Sequence, residues 1–195
     1  MKKGEAKAYT GYFDGACEPV NPGGIATYGY ALYDERGEIV TRGHGVASAL
    51  TPQATNNYAE YTALVSLLEK ALELGVEEIS VRGDSELVVR QMNGVYAVRS
   101  PNVAPLYEKA KELSERFTRF NIAWVPRERN AEADRLSHLA YEEYLDREPR
   151  AREALANHFA TEKQVAFLRR LGVETYRCMG KRDASRLIER ALRET

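Results

Sequence analysis

Four carboxylates stand far apart in the sequence at the same kind of position. Asp14 follows the β-rich stretch Ala8–Phe13, and Asp84 follows the short strand pattern Glu78–Arg82. Glu60 falls in the first turns of a helical pattern after a polar loop, and Asp134 falls near the start of the helix that succeeds a strand pattern at Asn121–Val125. In an open α/β sheet, ligands gather outside the carboxyl ends of the strands, where helices begin. The four acids are therefore placed to surround one pocket. Two carboxylates ~4 Å apart repel by about 4 kcal/mol at an effective dielectric of ~20. Helix N-termini offset only ~0.3–1 kcal/mol each. Divalent cations are the natural remedy, and a set of hard oxygen ligands without His or Cys favours Mg²⁺ or Mn²⁺ over zinc. Two such ions ~3.5–4 Å apart suit in-line displacement at a phosphodiester, one activating water and the other stabilising the leaving oxygen. Taken singly, each acid also has an ordinary role: Asp84 could cap the helix at Ser85, and Asp134 could sit as a charge beside Arg135.

The elements that must position these acids are readable from periodicity. Ala8–Phe13, Ile25–Tyr33 and Glu38–Val46, the last two joined by the turn Asp34-Glu35-Arg36-Gly37, predict an antiparallel meander. After the loop Thr51–Asn57 comes a helix to Leu74, with Ala63, Leu64, Leu67, Leu68, Ala71 and Leu72 at helical spacing and Gly75 as its stop. Glu78–Arg82 is a strand, Ser85 to Asn93-Gly94 a helix, Leu106–Phe120 a helix after the Pro101 and Pro105 loop, Asn121–Val125 a strand and Ala131–Asp146 a helix. The order βββαβααβα implies right-handed crossovers between the later strands. The expected fold is α/β, a five-stranded mixed sheet with helices on both faces, over residues 1–146.

Residues 147–195 read as a separate helical appendage. Thr161-Glu162-Lys163-Gln164 fits a capping box, opening a helix with Val165, Leu168 and Leu171 that stops at Gly172. A second helix from about Lys181 carries Ala184, Leu187, Ile188, Ala191 and Leu192 on one face. Such a hairpin must bury its stripe against itself or against the sheet.

Composition sets the outer bounds. The 195 residues are 44% hydrophobic and 29% charged, an ordinary globular mixture. No apolar run approaches the ~20 residues of a membrane span. The lysines at positions 2 and 3 have no apolar stretch behind them, so no secretory leader is expected. Two cysteines, Cys17 and Cys178, supply neither a disulfide framework nor a four-ligand zinc site. A cytoplasmic, monomeric protein with reduced thiols is the expectation. The net charge of -1 hides an asymmetry. Residues 1–146 carry 16 basic and 22 acidic side chains, and residues 147–195 carry 12 and 7. The basic tail suits an anionic partner, although solvated helix faces explain it equally simply.

The residues around the four acids carry a resemblance. Asp14-Gly15-Ala16-Cys17 with Asn21-Pro22-Gly23-Gly24, then Thr55-Asn56-Asn57-Tyr58-Ala59-Glu60, then Gly83-Asp84-Ser85 through Asn93-Gly94, then Trp124-Val125-Pro126-Arg127-Glu128-Arg129-Asn130 through Asp134 resemble, in order, the four motifs of type-1 ribonuclease H. The resemblance covers about residues 8 to 146. It implies metal-dependent endonucleolytic hydrolysis of the RNA strand of an RNA–DNA hybrid, leaving 3′-hydroxyl and 5′-phosphate ends. Asp14, Glu60, Asp84 and Asp134 match the metal-binding acids, expected to hold two Mg²⁺ ions that Mn²⁺ can replace. Glu60 would also touch the 2′-hydroxyl that tells RNA from DNA. Gly15, Asn21, Thr55, Asn56, Asn57 and Asn102 match positions that contact the hybrid.

Three departures from the family pattern stand out. Many bacterial members carry a basic protrusion after the third motif, whereas Gly94–Pro105 here holds one basic residue, Arg99. Those members also place a histidine in the loop before the last acid. Here that loop reads Arg127-Glu128-Arg129-Asn130, so Arg127 or Arg129 is the candidate charge, although arginine is no general base at neutral pH. His44, His138 and His158 fall outside the motif. Members without the protrusion include some that cut double-stranded RNA, which makes that duplex a second candidate substrate. The alternatives are a non-catalytic hybrid-binding module and another nuclease on the same fold. For the tail, one reading gives Arg169, Arg170, Lys181, Arg182 and Arg186 a non-specific nucleic-acid contact, and the other packs it on the sheet as a stabilising hairpin.

Overall fold

A computed structural model describes residues 8–193. The leader expectation falls on residues 1–7, outside the described part. Five strands form one sheet: β1 (Ala8–Glu18), β2 (Ile25–Tyr33), β3 (Ile39–Ala49), β4 (Glu78–Gly83) and β5 (Arg119–Trp124). Their order is β3-β2-β1-β4-β5. β1, β2 and β3 pair antiparallel, and β4 pairs parallel with both β1 and β5. The sheet is therefore mixed, as the element order requires.

Helix α1 (Asn56–Glu73) lies on one face with α2 (Glu86–Met92) and α3 (Ala104–Ser114). Their apolar stripes close over Phe13, Leu32, Ile79 and Val81, and Leu64, Leu67 and Leu68 of α1 are fully buried there. Helix α4 (Ala131–Arg147) covers the opposite face, where Tyr141 and Leu145 pack on Ile25. Three differences from the sequence pattern have a clear physical cause. β1 runs to Glu18, beyond the predicted Phe13, because its antiparallel pairing with β2 continues after the parallel pairing with β4 has ended. α3 stops at Ser114, and the chain then turns so that Phe117 enters the core beside Phe120, their rings 6.4 Å apart. Pro149 does not only interrupt the pattern: it occupies the first turn of a further helix, α5 (Pro149–Leu155), a position where its missing N–H costs nothing.

Beyond α5, α6 (Glu162–Arg170) and α7 (Lys181–Arg193) form the expected hairpin. The capping box at Thr161 and Gln164 is present. The stripe closes mainly on itself, with Leu192 left exposed, and it is the segments flanking the helices that pack on the sheet domain. Leu168, Met179 and Ala184 close on one another, while Tyr176, Cys178, Phe159 and Leu155 join the Ile25, Tyr141 and Leu145 cluster beneath the sheet. Both cysteines are free thiols; Cys17 Sγ donates to the carbonyls of Val20 and Ala54 at 3.3 and 3.2 Å. No helix among the described residues is long and apolar enough to cross a membrane.

Candidate active site

The parallel pairing of β1 with β4 ends at Phe13 and Gly83. The next residue on each strand is an aspartate, so Asp14 and Asp84 emerge side by side at the carboxyl edge of the sheet. There β4 gives way to α2, and β1 continues with β2 alone, Asp14 standing opposite Gly29. Two glycines let helices close on Asp14. A Cβ on Gly29 would lie 2.4 Å from the Ala133 carbonyl oxygen and 2.6 Å from the Ser137 nitrogen, so only glycine admits α4 at that depth. A Cβ on Gly15 would lie 2.2 Å from the Glu60 nitrogen, so Gly15 sets the approach of α1 and with it the position of Glu60.

Three of the four acids are held by identifiable partners. Ser137 Oγ donates to Asp14 Oδ2. The Asn130 side chain, on a residue 1% exposed, donates to the Phe13 carbonyl at 2.9 Å and to Asp84 Oδ1 at 2.7 Å. Trp124 Nε1 donates to the Asp84 carbonyl oxygen at 3.1 Å. Asp84 therefore does not cap α2, whose N-cap is Ser85. Asp134 pairs with the guanidinium of Arg127, while Arg135 turns instead to Glu132 at 2.9 Å. His138 Nδ1 lies 2.9 Å from the Asp134 carbonyl oxygen, which only accepts, and 3.6 Å from Asp134 Oδ2. The far side of the His138 ring rests on Tyr176, with centroids 4.4 Å apart.

The electrostatics register how closely the acids gather. Burial pushes the Asp14 carboxyl up to about 7, and Asp84 and Asp134 add to this while the Ser137 hydrogen bond opposes it. Burial also raises Glu60 well above the ordinary carboxylate range, with further contributions from Asp14 and Asp84. Arg127 faces the same group: burial works against its charge, but Asp134, Asp14 and Asp84 hold its guanidinium above the usual value. One protein cation thus balances part of an acidic cluster from four segments.

Whether the cluster suits divalent ions can be tested on its own atoms. Glu60 Oε2 is buried without a hydrogen-bond partner, a costly state that a cation would relieve. The donors are carboxylate oxygens, the ligands that hard cations prefer. Among the described residues, no group of three or more His, Cys, Asp or Glu side chains is gathered so as to hold a metal ion as it stands. Asp134 is occupied by Arg127 instead. The residue types and the unpartnered oxygen fit a cation, and the arrangement requires Arg127 to yield Asp134.

The remaining candidates surround the start of α1. Thr55 is its N-cap, Oγ1 accepting from the Tyr58 nitrogen at 3.1 Å. Asn56 Oδ1 accepts from the Cys17 nitrogen at 2.7 Å, and the Asn56 nitrogen donates to Asn21 Oδ1 at 3.3 Å. Asn21 and Asn56 therefore meet between the β1–β2 connection and α1. Asn57 is half-buried in the first turn of α1, and Arg129 is exposed in the 3₁₀ turn Arg127–Arg129. Asn102 is exposed in the turn before α3. Asn130 and Ser137 were not singled out by residue type. Their signal was spacing alone: Asn130 precedes α4, and Ser137 lies one helical turn beyond Asp134.

A five-stranded mixed sheet with this strand order and acids at its carboxyl edge defines the ribonuclease H fold. A family model described as "Reverse transcriptase-like" matches residues 12–140, and the chain belongs to that family. Ribonuclease HI of Halobacterium salinarum is 39% identical over 132 residues, covering 68% of this chain and 63% of the relative. The bifunctional protein Rv2228c of Mycobacterium tuberculosis is 42% identical over 124 residues, covering 62% of this chain and 32% of its own length. The chain thus spans less than two thirds of either relative. Among solved structures, LC11-RNase H1 in complex with an RNA/DNA hybrid superimposes with a TM-score of 0.63 at 36% identity, over 70% of this chain and 99% of that one.

Proposed function

We propose that this protein is a ribonuclease H that hydrolyses the RNA strand of RNA–DNA hybrids, leaving 5′-phosphate and 3′-hydroxyl ends. The observation that carries the reading is the convergence of Asp14, Glu60 and Asp84 with Asp134, from four segments, around an unpartnered Glu60 oxygen. The relative and the structural neighbour named above support the substrate class.

In this reading Asp14, Glu60, Asp84 and Asp134 hold two Mg²⁺ ions, or Mn²⁺ in their place. Bound there, the ions would supply an activated water and neutralise charge on the leaving oxygen. The chain's own groups do the positioning. Asn130 and Ser137 orient the Asp84 and Asp14 carboxylates, so the acids need not reorganise when substrate arrives. Arg127 holds the Asp134 carboxylate in place, and a cation bound there would release Arg127. Its guanidinium then remains free to meet phosphate, to which its fork of donors is suited. Glu60 reads the 2′-hydroxyl, and Asn21, Asn56 and Asn57 line the approach to the minor groove.

The deciding experiment is a panel of labelled duplexes, hybrid, RNA–RNA, DNA–DNA and a DNA duplex with one ribonucleotide, incubated with Mg²⁺ or Mn²⁺. Cleavage of the hybrid with its RNA strand cut is expected. Binding without cleavage would make the protein a hybrid-binding module, and comparable cutting of all-DNA duplex would make it a different nuclease. Cutting of RNA–RNA would widen the substrate range.

A further inference from the structure

The hybrid needs a cationic grip, and residues 94–105, where a basic protrusion would lie, hold only Arg99. The basic tail is the other concentration of positive charge, and the structure fixes where it sits. The segment before α7 is clamped to the sheet layer. Tyr141 Oη donates to the Cys178 carbonyl at 2.9 Å, Arg177 pairs with Asp146 at 2.6 Å, and Tyr176 and Cys178 pack on the Ile25 and Tyr141 cluster. Gly180 then comes so near the β1–β2 connection that a Cβ on it would lie 2.6 Å from the Pro19 carbonyl oxygen. α7 starts at the next residue.

This contact joins two surfaces. Pro19 is two residues from Asn21, whose side chain accepts from the Asn56 nitrogen. Gly180 is followed by Lys181 and Arg182, both exposed. Two residues span at most about 7 Å of chain on either side of the Gly180–Pro19 contact, so these cations and Asn21 flank that contact on neighbouring stretches of surface. The acidic charge of the same turn faces inward: Asp183 packs toward the buried Glu18, 8% exposed, and pairs with Arg186. Arg186, read from sequence as a contact candidate, is thereby engaged within its own helix. Lys181 gives one N–H to the Asn157 carbonyl at 2.7 Å and keeps two more donors and its charge. What faces outward beside the Asn21 connection is cationic, and the polymer expected at that edge is polyanionic.

We propose that Lys181 and Arg182 grip the phosphate backbone of the RNA–DNA hybrid, extending the substrate surface from Asn21 onto α7. The inference rests on the hybrid being the substrate, as read above. It assigns the appendage a binding role that its packing beneath the sheet does not by itself require.

The test measures equilibrium binding of a fluorescent RNA–DNA hybrid to the full chain carrying Asp84→Asn, so that no cleavage intervenes, over a range of salt concentrations. Each phosphate contact contributes about 0.9 to the slope of log affinity against log salt. Adding Lys181→Ala and Arg182→Ala together is expected to weaken binding and lower the slope by about 2. Because Lys181 also ties down Asn157, Arg182→Ala alone is the second variant, expected to lower it by about 1, and Arg182→Lys is expected to restore it. Unchanged affinity and slope in both variants, with the parent binding normally, would overturn the inference and leave the substrate reading standing. A parent that does not bind the hybrid would overturn both.

Discussion

Asn130 and Asp84 are tied by a 2.7 Å hydrogen bond, and the same amide nitrogen reaches the Phe13 carbonyl at 2.9 Å. One side chain at the start of α4 therefore joins the last parallel residue of β1 to the carboxylate that follows β4. Asn130 is 1% exposed, so removing its amide would leave both acceptors without this donor in a dry setting. Asn130→Ala is expected to lower hybrid cleavage roughly 10–100-fold, the usual effect of losing a group that orients a ligand. The far-ultraviolet spectrum should be unchanged, and the Mg²⁺ concentration for half-maximal activity should rise. Wild-type activity in this variant would show that Asp84 is held by its strand alone.

Asp84→Asn removes one of the charges that raise the proton affinity of Asp14 and Glu60. Cleavage should fall below detection. Without divalent cations the variant should melt higher than the wild type, by roughly 2–4 °C for each kcal/mol of repulsion relieved. With saturating Mg²⁺ the order should reverse, because the wild type alone gains full binding energy. A lower melting point of the metal-free variant would mean that the Asn130 hydrogen bond outweighs repulsion.

Much of this site was legible in the sequence because its parts are local. Asp14 and Asp84 each end an apolar strand pattern, and Glu60 and Asp134 each open a helix, so strand direction alone brings them to one edge. The supports were harder to see. Asn130 and Ser137 are residue types at home in any turn or helix, and their partners lie 46 and 123 residues away. The extension of β1 to Glu18 depended on β2 outlasting β4 as a partner, which no local pattern encodes. Glu18 itself reads as a surface charge, yet it is buried against Asp183 and Tyr176 of the appendage.

That burial has a pH signature. Burial, reinforced by Asp183, pushes the Glu18 carboxyl from 4.5 up to about 9. The folded state then keeps a proton that the unfolded chain has released, so stability falls as pH rises between those values. Asp14 adds its own fall between 3.8 and about 7, and the buried Glu60 is raised as well, so between pH 7 and about 9 the share of Glu18 is the difference between the wild type and a variant without that carboxyl. Melting curves across that window should show stability dropping, with Glu18 contributing at most about 1.4 kcal/mol per pH unit. Glu18→Gln, which stays neutral, should flatten the curve there. An unchanged slope in the variant would assign the effect to another group.

The depth at which α4 seats on Asp14 can be tested through glycine. At Gly29 a Cβ meets backbone, the Ala133 oxygen and the Ser137 nitrogen, which cannot move unless the helix does. At Gly11 its nearest atoms are all of the Leu67 side chain, Cδ2 lying closest at 2.7 Å. Both residues are on strands in contact with a helix, so the pair separates helix displacement from simple crowding. Gly29→Ala should cost about 1–3 kcal/mol as overpacking. It should also lift Ser137 from Asp14 and Asp134 from the cluster, with cleavage falling more than stability predicts. Gly11→Ala should cost less and leave cleavage per folded molecule unchanged. Equal losses of activity in the two variants would mean that the closeness of α4 does not govern the acids.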